Sequence, residues 1–263
     1  MPAATFPSYR SRYLPAMTLA QITALPDKAT TPVIIATGAI EQHGPQLPVA
    51  VDSYMAQVWL TRIFADLPAD VPAWVAPPIT VGKSNEHVGF PGTLYISKDT
   101  LRLQLLALAR QLHAWGFRRL LFLNTHGGNT SVLIYTRREI EFTLSMSTEW
   151  LRSNVDLKLP PLEAAYGFHA NTAETAWLYA LAPQLTRPEA APCHYPARLE
   201  DPGELRPESA PATYSWASQD VSPHGVMGDA TAATAEQGAK WIEEITAGYV
   251  ANLRNKAEKS RMG

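Results

Sequence analysis

Residues 34–45 read Ile-Ile-Ala-Thr-Gly-Ala-Ile-Glu-Gln-His-Gly-Pro, and this stretch decides the predicted fold class. Its apolar beginning is typical of a short strand buried on both faces of a parallel sheet, predicted here over Val33 to Gly38. Residues two apart in an extended chain share one side, so Glu41 and His43 are expected to project together at the strand's end. Asp52 follows the turn at residues 44–45 and can fold back toward them. Buried charges are costly unless compensated, and a metal ion is the simplest compensation here.

Two further polar segments carry candidate chemistry. A second apolar strand, Arg119 to Asn124, runs directly into His126-Gly127-Gly128-Asn129, and His169 and Glu174 flank the start of a later helix. Because sites in open α/β sheets form outside the carboxyl ends of strands, we expect these segments to meet. Their carboxylates and imidazoles suit borderline divalent ions such as zinc or manganese. The five candidate metal ligands suit two ions that share one carboxylate: Glu41, His43, Asp52, His126 and Glu174.

Alternating strands and helices predict an α/β fold in which helices cover both faces of a mostly parallel sheet. The chain has no repeat or evident linker, so residues 1–263 are predicted to form a single domain. Predicted strands cover Val33–Gly38, Val71–Pro77 and Arg119–Asn124. Predicted helices cover Leu19–Leu25 after a Thr18 cap, residues 53–66 after a Ser53 cap, residues 99–115, Thr130–Leu144, Ala173–Leu181 and Thr231–Lys256. Residues 145–165 and 184–225 are expected to lack regular structure.

Composition excludes several classes of partner. Lys plus Arg number 22 against 24 Asp plus Glu, a balance that argues against nucleic acid or an anionic membrane as partner. The single cysteine, Cys193, allows no internal disulfide and fits a reducing compartment. The sequence shows no signal-peptide pattern and no apolar stretch of membrane-spanning length. A cytoplasmic protein is therefore expected.

Each candidate residue also has a purely structural interpretation. Glu174 suits the positive end of a helix dipole, and His169 suits a hydrogen-bonded position in the core. His126, before two glycines, suits a turn, and His87 suits an ordinary loop position. The combination of candidates in one chain favours the metal site over these separate explanations.

The order of the motifs resembles the creatininase (creatinine amidohydrolase) family. The resemblance rests on Glu41-Gln42-His43-Gly44-Pro45-x-Leu47-Pro48 with Asp52, His126-Gly127-Gly128-Asn129, His169-Ala170 with Glu174-Thr175, and Gly225-Val226-Met227-Gly228-Asp229. Ser84-x-Glu86-His87 and Phe90-Pro91-Gly92-Thr93-Leu94 also resemble that family's loop. The matching motifs run in order from about residue 33 to 240.

This resemblance implies a three-layer α/β/α fold, two divalent metal ions per chain, with zinc first and manganese or iron as options, and a homohexamer. One ion would be held by Glu41, Asp52 and His126, and the other by His43, Asp52 and Glu174, with Asp52 bridging. It implies hydrolysis of a non-peptide C–N bond in a cyclic or other small amide, by a hydroxide that bridges the ions. His169 and Glu174 are the predicted catalytic residues. The predicted substrate contacts are Ser84, His87, Gly127, Gly128 and Asn129.

The sequence departs from creatininase itself at informative positions. Creatininase has a glutamate ligand two residues after the second-strand histidine, where this chain has Gly128, so Glu174 is expected to take over. Gln46 stands where many members have histidine. The family also includes a formamide hydrolase of a pyrimidine nucleotide intermediate and a peptidase that trims a modified precursor peptide. Both remain alternative functions, as does a metal-binding subunit without catalysis.

Overall fold

Strand β1 (Val33–Thr37) lies inside a four-stranded parallel sheet, and all five of its residues are buried. The computed structural model describes residues 6–195 and 216–259. β1 pairs on one side with β2 (Trp74–Val75) and on the other with β3 (Arg119–Asn124). The outer strand β4 (Ser147–Trp150) pairs with β3, which gives the order β2-β1-β3-β4.

Alternate residues of the central strands face two separate hydrophobic cores. Ile34 and Leu121 pack into a core with α2 (Val51–Asp66), α6 (Thr172–Leu181) and α8 (Ala235–Lys259). Val33 and Leu120 pack into the opposite core with α3 (Lys98–Ala114) and α4 (Thr130–Leu144). Burial on both faces explains the continuous apolar sequence of β1 and β3. The predicted α/β fold with helices on both faces is confirmed.

Local sequence explains where several helices begin. Thr18 forms a capping box with Gln21 at the start of α1 (Leu19–Ala24). The Ser97 side chain accepts a hydrogen bond from the Thr100 amide, so α3 begins one residue earlier than predicted. At α6, the Asn171 side chain accepts from the Glu174 amide.

The Ser53 cap was wrong, because Ser53 lies inside the first turn of α2, which begins at Val51. The hydroxyl of Ser53 instead lies within hydrogen-bond distance of two backbone carbonyl oxygens, those of Ala39 at 2.8 Å and Thr80 at 2.6 Å. The second predicted strand is also shorter than expected, because only Trp74–Val75 are regular strand and Ile79 makes an isolated bridge to Thr37.

Residues 145–165 are more regular than predicted, since they contain β4 and the short helix α5 (Pro161–Tyr166). Within the described part of 184–225 there are also β5 (Cys193–His194) and α7 (Ser218–Val221). β5 pairs antiparallel with β6 (Gly228–Asp229). Residues 196–215 of the predicted loop lie outside the described residues. The last predicted helix begins later than Thr231, because a 3₁₀ turn covers Ala230–Ala232 before α8.

A buried carboxylate joins three segments behind α6. Glu163, only 2% exposed, accepts hydrogen bonds from the backbone amides of Thr172 and Asp229, at 2.8 and 3.0 Å, and from the Tyr195 hydroxyl, at 2.8 Å. These bonds fix the first residue of α6, β6 and the end of β5 relative to α5. In the described part of the chain, no helix has the length and apolarity that crossing a bilayer requires.

Candidate active site

Three parts of the fold bring the candidate ligands together at the carboxyl edge of the sheet. Glu41 and His43 follow β1, Asp52 lies in the first turn of α2, and His126 follows β3. Glu174 comes from the first turn of α6. The expected continuous strand through residue 43 was wrong, because β1 ends at Thr37. Glu41 and His43 nevertheless converge, since a ligand atom of each lies within 4.8 Å of the other. The His43 ring also donates through Nδ1 to the Glu41 backbone carbonyl at 3.1 Å.

Asp52 lies between two groups of possible ligands. Its Oδ2 is 3.3 Å from His126 Nδ1, which is also 3.2 Å from Glu41 Oε1. Its Oδ1 is 3.6 Å from His43 Nε2, which is 3.8 Å from Glu174 Oε2. Ligands held about 2.0–2.1 Å from a zinc ion stand about 3.3 Å apart in a tetrahedron. Each group therefore has spacings close to those of a metal coordination sphere.

Hydrogen bonds on the far side of each imidazole determine which ring nitrogen faces the cluster. His43 Nδ1 and His126 Nε2 both lie against backbone carbonyls, at 3.1 Å from Glu41 O and 3.0 Å from Lys83 O. Carbonyl oxygens only accept, so these nitrogens carry the protons. In the neutral rings His43 Nε2 and His126 Nδ1, which face the carboxylates, carry the lone pairs, and these are the tautomers that metal ligation requires.

Unpartnered buried atoms provide an independent test of whether a cation fits. Glu41 Oε2, His43 Nε2 and Asp52 Oδ2 are all buried without a hydrogen-bond partner. An unsatisfied buried carboxylate oxygen or imidazole nitrogen is costly, and all three atoms belong to residues of the two ligand groups. The residues present therefore fit divalent cations.

The electrostatics of the cluster also favour added positive charge. Burial raises the pKa of Glu174 to about 7 and raises the pKa of Glu41. Burial alone would lower the pKa of His43, but the nearby Asp52 carboxylate outweighs it and raises that pKa to about 9. These shifts are those of a buried excess of carboxylates.

His169 lies beside the cluster and is buried. Its Nε2 is 2.7 Å from the backbone oxygen of Gln42, so this nitrogen donates, while Nδ1 is 3.5 Å from Glu41 Oε1. The residue after it, Ala170, has a left-handed backbone (φ 50°), a conformation that L-residues adopt at a cost. Ala170 donates its amide to Glu174 Oε2 at 2.6 Å, which ties the two predicted catalytic residues to one turn. Geometry alone also groups His169 with Glu41 and His43 as possible ligands.

A cavity of about 340 Å³ lies beside the cluster. Asp52, His126 and Glu174 form part of its wall, and much of the remainder is aromatic or apolar. The aromatic side chains are Trp59, Trp150, Trp177 and Tyr249. Arg152 supplies the only Lys or Arg side chain among its described lining residues.

Of the five predicted substrate contacts, Gly127 lines this cavity. Ser84 and His87 are buried beside histidines, with Ser84 Oγ 3.1 Å from His126 Nε2 and the His87 ring 4.2 Å from the His169 ring. Asn129 holds the loop by accepting from the Lys83 amide and donating to the Gly38 carbonyl. Substrate contact by Ser84, His87, Gly128 and Asn129 stays a prediction.

Sequence reasoning assigned no role to Glu86 or Arg152. Glu86 Oε1 lies 3.5 Å from His126 Nε2, and Oε2 pairs with Lys83 at 2.7 Å. Its only sequence signal was its place in the Ser84-x-Glu86-His87 motif. Arg152 follows the edge strand β4 in a segment expected to be irregular, and no motif marks it.

The fold and the cluster define a class: α/β proteins with a buried centre for divalent cations at the carboxyl edge of a parallel sheet. A model of the creatininase family, described as creatinine amidohydrolase, matches residues 15–253. The chain therefore belongs to the creatininase family and is an amidohydrolase of that family.

Relatives of this chain are named for different activities. The mycofactocin precursor peptide peptidase of Mycolicibacterium smegmatis is 32% identical over 224 residues, which cover 84% of this chain and 84% of that protein. The 3-dehydro-scyllo-inosose hydrolase of Thermotoga maritima is 26% identical over 233 residues, covering 81% of this chain and 73% of that protein. A solved creatininase with manganese superposes with a TM-score of 0.70 at 21% identity, over 93% of this chain and 98% of that one. That level of identity supports the fold alone.

Proposed function

We propose that this chain hydrolyses the C–N bond of a small amide, such as a cyclic amide or lactam, using two divalent metal ions. The observation that carries the proposal is the pair of ligand groups that share Asp52, with three unpartnered buried atoms, at the wall of a small cavity. The preferred ions are zinc, with manganese or iron as alternatives. Solved structures of the same fold are named for manganese and for a Zn–Zn form.

In this proposal Glu41, Asp52 and His126 hold one ion, while His43, Asp52 and Glu174 hold the other. Bound ions of this kind supply water that is nucleophilic at neutral pH and polarise a carbonyl oxygen. Glu174 is the least buried carboxylate of the ligand set, with its side chain 20% exposed, and it faces the cavity. Its position suits a carboxylate that also accepts a proton as water attacks.

His169 is proposed to transfer a proton to the leaving nitrogen. Its Nε2 is committed to the Gln42 carbonyl, so Nδ1 is the ring nitrogen that would take up a proton, released when water attacks, and pass it to the leaving nitrogen. Packing against His87 and His43, with ring centroids 4.2 and 4.3 Å away, holds the ring in place. A proton delivered from a fixed position is what general acid catalysis requires.

The test is an assay of zinc-loaded protein against cyclic amides, cyclic ureas and formamides, with chelator-stripped protein as the control. We expect turnover of at least one amide class by the loaded protein and its loss after stripping. A fully loaded protein that turns over nothing across the panel would contradict the proposal and favour a non-catalytic metal-binding subunit.

A second candidate is trimming of a precursor peptide, favoured by the 32% identity to the mycofactocin precursor peptide peptidase. A short linear peptide belongs in the same panel, and its selective cleavage would favour this candidate. A nucleotide substrate has less support, since three basic residues that could offer a phosphate site, Lys83, Arg118 and Arg119, have other partners. Lys83 pairs with Glu86, Arg119 with Glu149, and Arg118 with the carbonyls of His113 and Phe117.

The homohexamer and the cytoplasmic location remain proposals that rest on the family resemblance and on composition. Sedimentation of the purified protein tests the first, with six chains expected.

A further inference from the structure

Arg152 differs in charge from the rest of the cavity wall. Three of the lining residues, Asp52, His126 and Glu174, belong to the ligand cluster, and the others are apolar, aromatic or neutral polar apart from Arg152. Two divalent ions would neutralise the carboxylates of the cluster. The Arg152 guanidinium would then be a positive charge on the cavity wall that comes from a side chain rather than from a metal ion.

Contact with the Trp150 ring holds the Arg152 guanidinium in position. The Arg152 guanidinium carbon lies over the Trp150 ring, 4.8 Å from the ring centroid, and Arg137 contacts the same ring at 4.7 Å. Arg137 is itself fixed, because it donates to the Thr148 hydroxyl and carbonyl at 3.1 and 2.8 Å. Stacking on an aromatic ring reduces the freedom of a guanidinium while leaving its edge N–H groups able to donate.

Arg152 has no acidic partner among the described residues. Across residues 6–195 and 216–259, its guanidinium makes no ion pair with a carboxylate, in contrast to Arg102 and Arg119, which pair with Glu139 and Glu149. The side chain is exposed, while the backbone amide of Arg152 is anchored to Asn252 Oδ1 at 3.4 Å. An unpaired arginine held on a cavity wall is suited to bidentate recognition of a carboxylate.

We infer that Arg152 is a specificity-determining residue and that the substrate is a small amide bearing a carboxylate. This inference rests on the proposed amidohydrolase function and narrows its substrate class. In the bound state the amide carbonyl faces Asp52, His126 and Glu174, and the carboxylate faces Arg152. The aromatic walls contact the part of the substrate between them.

The test measures binding rather than turnover, so that it stands apart from the hydrolysis assay. Tryptophan fluorescence of zinc-loaded protein is titrated with N-benzoylglycine and with its neutral primary amide, which differ only in the carboxylate. We expect the wild type to prefer the charged probe by about ten- to hundredfold, the range for a charge-assisted hydrogen-bonded pair. Arg152→Gln should abolish that preference, and Arg152→Lys should retain only part of it because the bidentate geometry is lost.

Arg254→Gln is the matched control, since Arg254 is an exposed arginine that does not line the cavity. It should keep the wild-type preference. A preference that survives in Arg152→Gln would mean that the cations hold the carboxylate, and it would overturn the inference. Equal binding of both probes by the wild type, or no binding of either, would overturn it too. Failure to hydrolyse any amide would count against the proposed function. The ratio of the affinities for the charged and neutral probes tests the role of Arg152 independently of hydrolysis.

Discussion

A carboxylate oxygen of Glu86 lies 1.8 Å from the position that a Cβ would occupy at Gly128. The same hypothetical Cβ would be 2.4 Å from His126 Nε2 and 2.7 Å from the Lys83 carbonyl oxygen. Gly128 is therefore required here because the loop that carries Glu86 closes directly onto His126. The space that a side chain at residue 128 would occupy is filled in this chain by a carboxylate from another segment.

Gly128→Ala should displace either Glu86 or the His126 ring, because no residue with a side chain fits this space. We expect zinc affinity to fall at least tenfold, since the position of His126 depends on these contacts. Competition with a chromogenic chelator measures this affinity. An unchanged zinc affinity in Gly128→Ala would contradict this prediction and show that the loop accommodates a side chain at residue 128 without moving His126.

Glu86→Gln is expected to lower zinc affinity about ten- to hundredfold, the usual effect of removing an outer carboxylate beside a ligating histidine. The loss should arise at the ion held by His126, so that one of two ions is lost first in a chelator titration. Lys83→Met serves as the control, since it removes the ion pair with Glu86 but leaves the carboxylate near His126. Equal losses in both variants would assign the effect to the ion pair instead.

Asp52→Ala should remove both ions, because Asp52 directs one oxygen to each ligand group. The zinc content measured by elemental analysis after zinc loading should fall from about two ions per chain, the number expected for a two-metal site, to well under one. Asp66→Ala, at the exposed end of the same helix, should keep both ions. Retention of two ions by Asp52→Ala would exclude Asp52 as the shared ligand.

His169→Ala should keep its ions but lose about 10²- to 10⁴-fold in kcat, the typical contribution of a positioned proton donor. Elemental analysis and kinetics on the same preparation separate this effect from metal loss. His113→Ala on α3 is the matched histidine control and should keep the wild-type rate. Loss of an ion in His169→Ala would instead favour the alternative in which His169 ligates metal together with Glu41 and His43.

The stability of the sheet edge should depend on pH through Glu149. Partial burial raises the pKa of Glu149, but hydrogen bonds from Lys256 and Arg119 outweigh burial and lower it below its usual value. A lowered folded-state pKa gives stability that is present above the unfolded pKa of about 4.3 and is lost as the pH falls through the folded value. The difference in unfolding free energy between wild type and Glu149→Gln should therefore be larger at pH 7 than at pH 3, in urea titrations. A constant difference would exclude this ionic contribution.

Much of the fold could be predicted because its elements carry strong local patterns. β3 (Arg119–Asn124) and α4 (Thr130–Leu144) match their predicted bounds, since a continuous apolar run and a helical period are local properties. β4 was missed because Ser147–Trp150 is a short edge strand with polar residues, and pairing with β3 defines it. The Ser53 error arose because the serine bonds carbonyls that are distant in sequence, which a capping pattern does not reveal.

The candidate ligands could be singled out from sequence because carboxylates and imidazoles stand out directly after apolar strands. Their metal-binding and catalytic roles stay predictions. Glu86 and Arg152 could not be singled out in the same way, since one gains its role from contact with His126 and the other from a tryptophan and a cavity. Such roles depend on neighbours brought together by folding, and no local pattern encodes them.

Glu163 has a consequence for how variants of this protein are interpreted. It is not one of the candidate ligands, yet its hydrogen bond from the Thr172 amide holds the start of the helix that carries Glu174, and its other two hold Asp229 and Tyr195 beside that helix. We therefore expect a substitution of Glu163 to shift that helix and to lower the proposed activity, although every candidate ligand and catalytic residue is still present. A mutational screen that records only lost activity would therefore misidentify Glu163, a structural residue, as a catalytic one.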